Sequence, residues 1–252
     1  MERKLTWHEA IKKRTSRRAY TGQSLLQGDL DGLTSLVESI NQESGLRLVF
    51  LDQSSELFSG FKTSYGMFSN VTSVLCIVGS KSLKNLEVLA GYYGEFFLLE
   101  CVSRNLGTCW IGGTYNKKST EKVLGLSGDE ELLIVISVGR VNDEKTFKEK
   151  MISSLGKNKQ SFEELLQMSD GTTPDWVIAG IEAARLAPSA VNKKPNGYAW
   201  EGGVLQAFNT KPSHSYKKID LGISLAHFEL GALSAGQTGT WEIQEDCKAV
   251  FI

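Results

Sequence analysis

The chain has 252 residues, with 28 basic against 29 acidic side chains and a formal charge of −1. Its length allows one large domain or two small ones, 41% hydrophobic content supports a sizeable core, and 23% charged residues is ordinary for a soluble globule. The balanced charge argues against a general nucleic-acid coat protein, and no apolar run approaches the roughly 18 residues of a membrane span.

Met1-Glu2-Arg3-Lys4 leads into no signal-peptide core, and only four prolines, with no low-complexity tract, argue against disorder. Cys76, Cys101, Cys109 and Cys247 show no CxxC or metal spacing, and the first two sit in apolar runs as small core hydrophobes. A reduced, cytoplasmic chain is expected. His8, His214 and His227 form no short metal-binding pattern.

In chain order, Thr6-Trp7-His8-Glu9 reads as a capping box opening a short helix to about Arg14. Asp29 is expected to cap a second helix, with Leu30, Leu33, Val37 and Ile40 on one face, ending over Asn41–Gly45. Leu46–Leu51 and Val74–Val78 read as strands. From about Leu83 to Leu106 runs the longest helical stretch, apolar on most sides and so expected to be central and buried. A Gly-rich turn, Gly107–Gly113, follows it. Ser119 or Thr120 starts another short helix, and Leu132–Val138 is a buried strand ending at Gly139.

A Lys-rich connection, Asn142–Lys159, leads to a second capping box, Ser161 with Glu164. Thr173-Pro174 predicts a helix with proline at its first position, stopping at Pro188. Tyr198–Phe208 contains strand, with a turn allowed at Glu201-Gly202-Gly203; Asp220 starts a last long helix to about Ala235, and Ala249–Ile252 reads as a final strand. The two long helices can be overlaid at constant spacing, Gly91, Phe97, Leu99, Ser103 and Trp110 on Gly222, Phe228, Leu230, Ser234 and Trp241. Duplication and chance matching of two apolar helices both account for this.

Four constellations could carry chemistry. Arg14, Ser16 and Arg18, within the basic run Lys12–Arg18, offer the charge, fork-shaped donors and hydroxyl that a phosphate needs, or form a solvated helix end. Ala187–Pro195 could present Pro188, Ser189 and Asn192 to a flat polar ligand, or simply stop a helix. Gly112 and Gly113 could let main-chain N–H groups approach a ligand, or belong to a helix end and turn. Lys157 and Lys159 could form a second phosphate-binding arm, or a solvated linker. Cys109 has no nearby His and is not read as a nucleophile.

In their order, these segments resemble the nitroreductase family of FMN-dependent oxidoreductases. Arg14-Thr15-Ser16-Arg17-Arg18 is similar to its N-terminal Arg-x-Ser-x-Arg/Lys signature, and Ala187-Pro188-Ser189-Ala190-Val191-Asn192-Lys193-Lys194-Pro195 to its Ala-Pro-Ser-x-x-Asn-x-Gln-Pro loop. Leu106–Gly113 resembles its glycine turn after the central helix, and Lys157 and Lys159 its late basic pair. The resemblance implies an α+β, nitroreductase-like fold, with a central antiparallel or mixed sheet packed by helices around a long buried helix.

The order of the motifs departs from the family. The Ala-Pro-Ser loop usually follows the N-terminal basic segment within a few tens of residues, whereas here it comes after the later helix. The family is homodimeric, with that loop supplied by the other subunit. A pseudo-dimeric single chain is implied, with halves 1–168 and 169–252 sharing one core, so that a monomer can suffice. The second half has no counterpart of Arg14-x-Ser16-x-Arg18, so one FMN per chain is expected.

By resemblance, Arg14, Ser16 and Lys157 or Lys159 hold the FMN phosphate, and Arg18 lies near the N1–O2 edge of the ring. Gly112 or Gly113 approaches N5, Tyr65 with Ser64 and Gly66 adds a weaker contact, and Pro188, Ser189 and Asn192 close the site. NAD(P)H would reduce the flavin and a small-molecule acceptor, nitro compound or quinone, would take the electrons in ping-pong order, with no catalytic side chain required. Neither nucleic acid nor membrane is an expected partner. Lys194 stands where the family has Gln, and Asn196 where it has Trp. The competing readings are a flavin-binding storage or sensing protein without efficient turnover, and a phosphate-binding module without flavin.

Overall fold

The computed structural model describes residues 1–53, 68–113, 115–147, 149–151, 160–169, 171–210, 215–245 and 247–252. The fold is α+β with two sheets, and the chain divides into two compact units. The first comprises Met1, Lys13–Leu86 and Phe97–Leu155; the second comprises Glu2–Lys12, Glu87–Phe96 and Gly156–Ile252.

The first unit carries strands β1 (Arg47–Asp52), β2 (Ser73–Ser80), β3 (Gly107–Ile111) and β4 (Glu130–Gly139), all antiparallel in the order β1-β2-β4-β3. Seven of the eight β2 residues are buried, which is why its sequence is a continuous apolar run rather than an alternating one. Val74, Cys76, Val78, Ile111, Leu124, Leu132 and Val135 form one core cluster. Helix α2 (Gln27–Ser44) buries Leu33, Leu36, Val37 and Ile40 and ends where Gly45 adopts φ 70°. Leu26, not Asp29, is its N-cap residue; Asp29 lies in the first turn, where a carboxylate complements the helix dipole.

Helix α1 (Leu5–Lys13) begins one residue ahead of Thr6, so Thr6 is inside the helix and the expected capping box does not form its start. Helix α3 (Leu86–Ser103) is the long central helix; Phe96, Phe97, Leu98, Leu99 and Cys101 on it are at most 1% exposed. The segment after α3 is not the expected glycine turn: Gly107–Ile111 pairs along β4 as an edge strand. Helix α4 (Lys117–Leu124) is capped by Asn116, whose side chain accepts from the Ser119 main-chain N–H.

The second unit's Gly156–Ile252 segment carries first α5 (Phe162–Leu165), which has the expected Ser161/Glu164 capping box, and then β5 (Leu166–Ser169). Helix α6 (Asp175–Ala184) has Pro174 as its N-cap rather than its first helical residue. Strands β6 (Asn196–Glu201) and β7 (Val204–Asn209) form a hairpin through Gly202 and Gly203, both at positive φ, as a two-residue primed turn requires. Helix α7 (Lys217–Ser234) and strands β8 (Trp241–Ile243) and β9 (Lys248–Phe251) complete the unit.

The second sheet has the order β5-β6-β7-β9-β8, parallel only between β5 and β6. Its β6-β7-β9-β8 part repeats the strand order and helix position of the first sheet, β1-β2-β4-β3. Two glycines bring α7 against the Glu87–Phe96 part of α3: a Cβ on Gly91 would lie 2.0 Å from the Ile219 carbonyl oxygen, and one on Gly222 2.0 Å from that of Val88. Each glycine meets the carbonyl three residues before the other, so the crossing is reciprocal.

Candidate functional site

The basic run Lys12–Arg18 divides where α1 ends. Lys12 and Lys13 are exposed at the helix end, whereas Ser16 and Arg17 pair with Thr108 on the free edge of β3 and Arg18 to Tyr20 pair with Ser69. Ser16 forms a parallel bridge with Thr108, and the Arg17 N–H donates to the Thr108 carbonyl at 2.8 Å. Gly107 permits this approach, since a Cβ there would meet Val141 at 2.2 Å and Arg17 Cβ at 3.1 Å. Farther on, the Arg18 carbonyl accepts from Ser69 N–H at 3.0 Å, and Tyr20 N–H donates to the Ser69 carbonyl at 3.1 Å.

Extended backbone sends successive side chains to opposite sides. Arg17 turns one way, donating to the carbonyls of Asn142 at 2.9 Å and Glu144 at 3.2 Å and pairing with Glu149 at 3.2 Å. Ser16 turns the other way, toward the Cys109 thiol, on which the charges of Arg14 and Arg18 also act. Burial raises the Cys109 thiol above its usual range, against the opposing pull of Arg18, Ser16 and Arg14. The Arg18 guanidinium also sits 5.8 Å from the centroid of the Phe68 ring.

Arg14 Nε, Arg18 Nε and, on β3, Thr108 Oγ1 are buried with no hydrogen-bond partner among the described residues. Buried donors left unmatched cost about 1–3 kcal/mol each. Beside Cys109 the donor set is two guanidinium groups and the Ser16 hydroxyl, which is suited to an anionic oxygen-rich ligand. FMN, through its phosphate and ring oxygens, is a group these residues fit.

Gly112, half-buried, and Gly113, exposed, follow β3 directly. An added Cβ at Gly113 would meet nothing within 4 Å. Tyr65, with Ser64 and Gly66, and both Lys157 and Lys159 lie outside the described residues.

Pro188, Ser189 and Asn192 belong to the second unit, on the loop between α6 and β6. That loop is held by its own polar contacts: Ser189 Oγ accepts from the Lys194 main-chain N–H at 2.9 Å, and Ala190 N–H donates to the Asp220 carboxylate at 3.0 and 3.1 Å. Val191, Asn192 and Lys194 adopt φ of 44°, 55° and 48°. For the β-branched Val191, which is 84% exposed, this is a strained conformation. Burial raises the Asp220 carboxyl to about 7, against the Ala190 N–H and the charge of Lys194.

A profile of the family described as "Putative TM nitroreductase" matches residues 6–232. The chain belongs to that family. Among solved structures, one described as a putative nitroreductase from Thermotoga maritima MSB8 is 21% identical, covering 100% of this chain and 95% of its own, with a TM-score of 0.64. An FMN-dependent nitroreductase from Clostridium difficile R20291 is 19% identical over 54% of this chain and 88% of its own, with a TM-score of 0.45. No curated protein matches the sequence.

In this member of the nitroreductase family, the two substituted loop positions have identifiable work. Lys194 Nζ donates to the carbonyls of Arg185, at 2.9 Å, and Ala187, satisfying acceptors beyond the end of α6. Asn196 is buried at the start of β6, donating to the Asp220 carbonyl at 2.9 Å and accepting from Asn209 at 2.7 Å. Sequence reasoning missed Arg17, Glu149, Thr108 and Phe68, and it read Asp220 as a helix start only. For Arg17 the signal was present: it is the odd member of an alternating pattern.

Proposed function

We propose that this chain is an FMN-dependent oxidoreductase, driven by NAD(P)H and reducing a small nitro compound, quinone or similar acceptor. The observation that carries this reading is the pair of buried guanidinium nitrogens, Arg14 Nε and Arg18 Nε, unmatched among the described residues and with their charges acting on Cys109, in a chain of this family. When bound, FMN supplies the hydride and electron transfer. The chain binds and orients it: Arg14 and Ser16, with Lys157 or Lys159, take the phosphate. Arg18 takes the ring edge where reduction puts negative charge, and a cation there favours the reduced form. Gly112 or Gly113 and Tyr65 complete the first half's contribution, and Pro188, Ser189 and Asn192 that of the second.

One flavin per chain follows, because residues 169–252 hold no second Arg-x-Ser-x-Arg segment. Halves 1–168 and 169–252 as a fused dimer are supported by the repeated strand order and by the reciprocal glycine crossing. A working monomer is the corresponding proposal. Four free cysteines accord with a cytoplasmic site of action.

The test is absorbance of the purified chain in the flavin bands after addition of FMN, then anaerobic stopped-flow mixing with NADH or NADPH. Uptake of FMN followed by bleaching is expected. Uptake without bleaching would make this a storage or sensing protein, and failure to take up FMN at all would sink the flavin reading.

A further inference from the structure

The segment from Arg14 to Arg18 holds three arginines with similar reach and chemistry, Arg14, Arg17 and Arg18. In an extended chain, a slip of one residue exchanges the side chains on the two faces. Something must therefore determine that Arg18, and not Arg17, is left for a ligand. The bridge at Ser16 and Thr108 fixes one point of the register.

Glu149 fixes the next. Its Oε1 accepts from the main-chain N–H groups of Arg18 at 2.7 Å and Ala19 at 3.2 Å, and from Arg17 Nε at 3.2 Å. Its Oε2 accepts from Thr146, through the main-chain N–H at 2.9 Å and the hydroxyl at 3.2 Å. The residue is 4% exposed, so both oxygens are occupied from within the protein. Its charge falls on Arg17, and among the described residues no carboxylate is bonded to Arg14 Nε or Arg18 Nε.

We propose that Glu149 is a positioning residue for the cofactor's binding edge, taking Arg17 and the backbone of Arg18 and Ala19 so that Arg14 and Ser16 are presented to the phosphate and Arg18 to the ring edge. This rests on the reading that those three residues receive FMN. Glu149 touches no ligand itself; it acts by selecting which cations do.

The experiment titrates FMN and riboflavin, which lacks the phosphate, by flavin fluorescence into the full-length wild type, Glu149→Gln and Arg14→Ala, with thermal melts alongside. The wild type should prefer FMN and Arg14→Ala should lose that preference. In Glu149→Gln the FMN Kd should rise about tenfold or more while that of riboflavin rises at most about threefold, the scale of one displaced charged hydrogen bond. A folded Glu149→Gln with wild-type FMN affinity, or with equal losses for both flavins, overturns the positioning role while the Arg14→Ala result leaves the phosphate reading standing. A wild type that binds both flavins equally overturns the phosphate reading and the role of Glu149 with it. Should Glu149→Gln not fold, Thr146→Val removes one bond to Oε2 at an exposed position and keeps the charge. It should weaken FMN about threefold and leave riboflavin unchanged; unchanged FMN affinity overturns the proposal.

Discussion

A buried carboxylate that accepts five hydrogen bonds is a sensor of acid, and Glu149 is the instance in the first unit. Against the cost of burial, the N–H groups of Arg18, Thr146 and Ala19 and the charge of Arg17 lower its carboxyl from 4.5 to about 2. A carboxyl depressed in the folded state contributes stability in full above about 4.5 and loses it as pH falls toward 2. Urea unfolding of wild type and Glu149→Gln should therefore differ at pH 6, by at most about 3 kcal/mol, and converge near pH 2. A gap independent of pH would show that shape rather than charge is what Glu149 supplies. Arg14→Ala addresses the opposite kind of residue, one whose unmatched donor awaits a ligand: FMN binding should weaken by about 1.5–3 kcal/mol with little change in the melting temperature. The Arg-x-Ser-x-Arg spacing was legible because alternation is a local property of extended backbone. Glu149 was not, because Thr146-x-x-Glu149 marks at most a helix start, and nothing local marks the partners of Oε1 about 130 residues earlier.

Among the elements, the loop between α6 and β6 is the one whose conformation needs support, with Val191, Asn192 and Lys194 all at positive φ. Asp220, on the first turn of α7, supplies part of it through Ala190. Its carboxyl is raised to about 7, so the folded state holds a proton that the unfolded chain gives up near 3.8. This contribution is complete below about 3.8 and is lost as pH rises through 7. Asp220→Asn keeps a carbonyl acceptor for Ala190 and does not titrate; its stability relative to wild type should rise between pH 4 and 8, by about 2–4 kcal/mol over the window. A flat difference in chemical denaturation would place the Asp220 carboxyl in its ordinary range. The glycines separate packing from ligand approach in the same way. Gly91→Ala drives a methyl into the Ile219 carbonyl and should cost about 2–4 kcal/mol, whereas Gly113→Ala meets open space and should leave the melting temperature alone while weakening FMN binding. The long helices and buried strands were legible from apolar period and run length. Strand β3 was not, since Gly107 and Gly113 read as a turn until pairing along β4 decides otherwise. The short strands β5 and β8, of four and three residues, carry too little pattern to stand out.

For the whole molecule, the division of the chain matters more than its length. The second unit includes Glu2–Lys12 and Glu87–Phe96, which precede its main segment, Gly156–Ile252, by 60 residues or more. There, Trp7 stacks on Phe96 at 5.3 Å, and Arg3 donates to Glu229 at 2.8 Å and to the Tyr92 hydroxyl at 3.1 Å. Glu95 lies 2.9 Å from His227 Nε2, and both side chains are fully buried. A break at residue 168 thus takes from the first fragment every partner these residues find on α7. The uncovered surface would include Trp7, Tyr92 and Phe96, with Glu95 parted from His227, a cost of about 1–3 kcal/mol for a buried hydrogen bond broken on one side. Together with the uncovered apolar surface, that is a large share of the roughly 5–15 kcal/mol of an intact domain. Expressed alone, residues 1–168 should bind a hydrophobic dye such as ANS, melt without a cooperative transition and take up no FMN. Co-expression with residues 169–252 should restore both the cooperative melt and the flavin. A 1–168 fragment that melts cooperatively and binds FMN with full-chain affinity would show instead that the second half serves neither the core nor the site of the first.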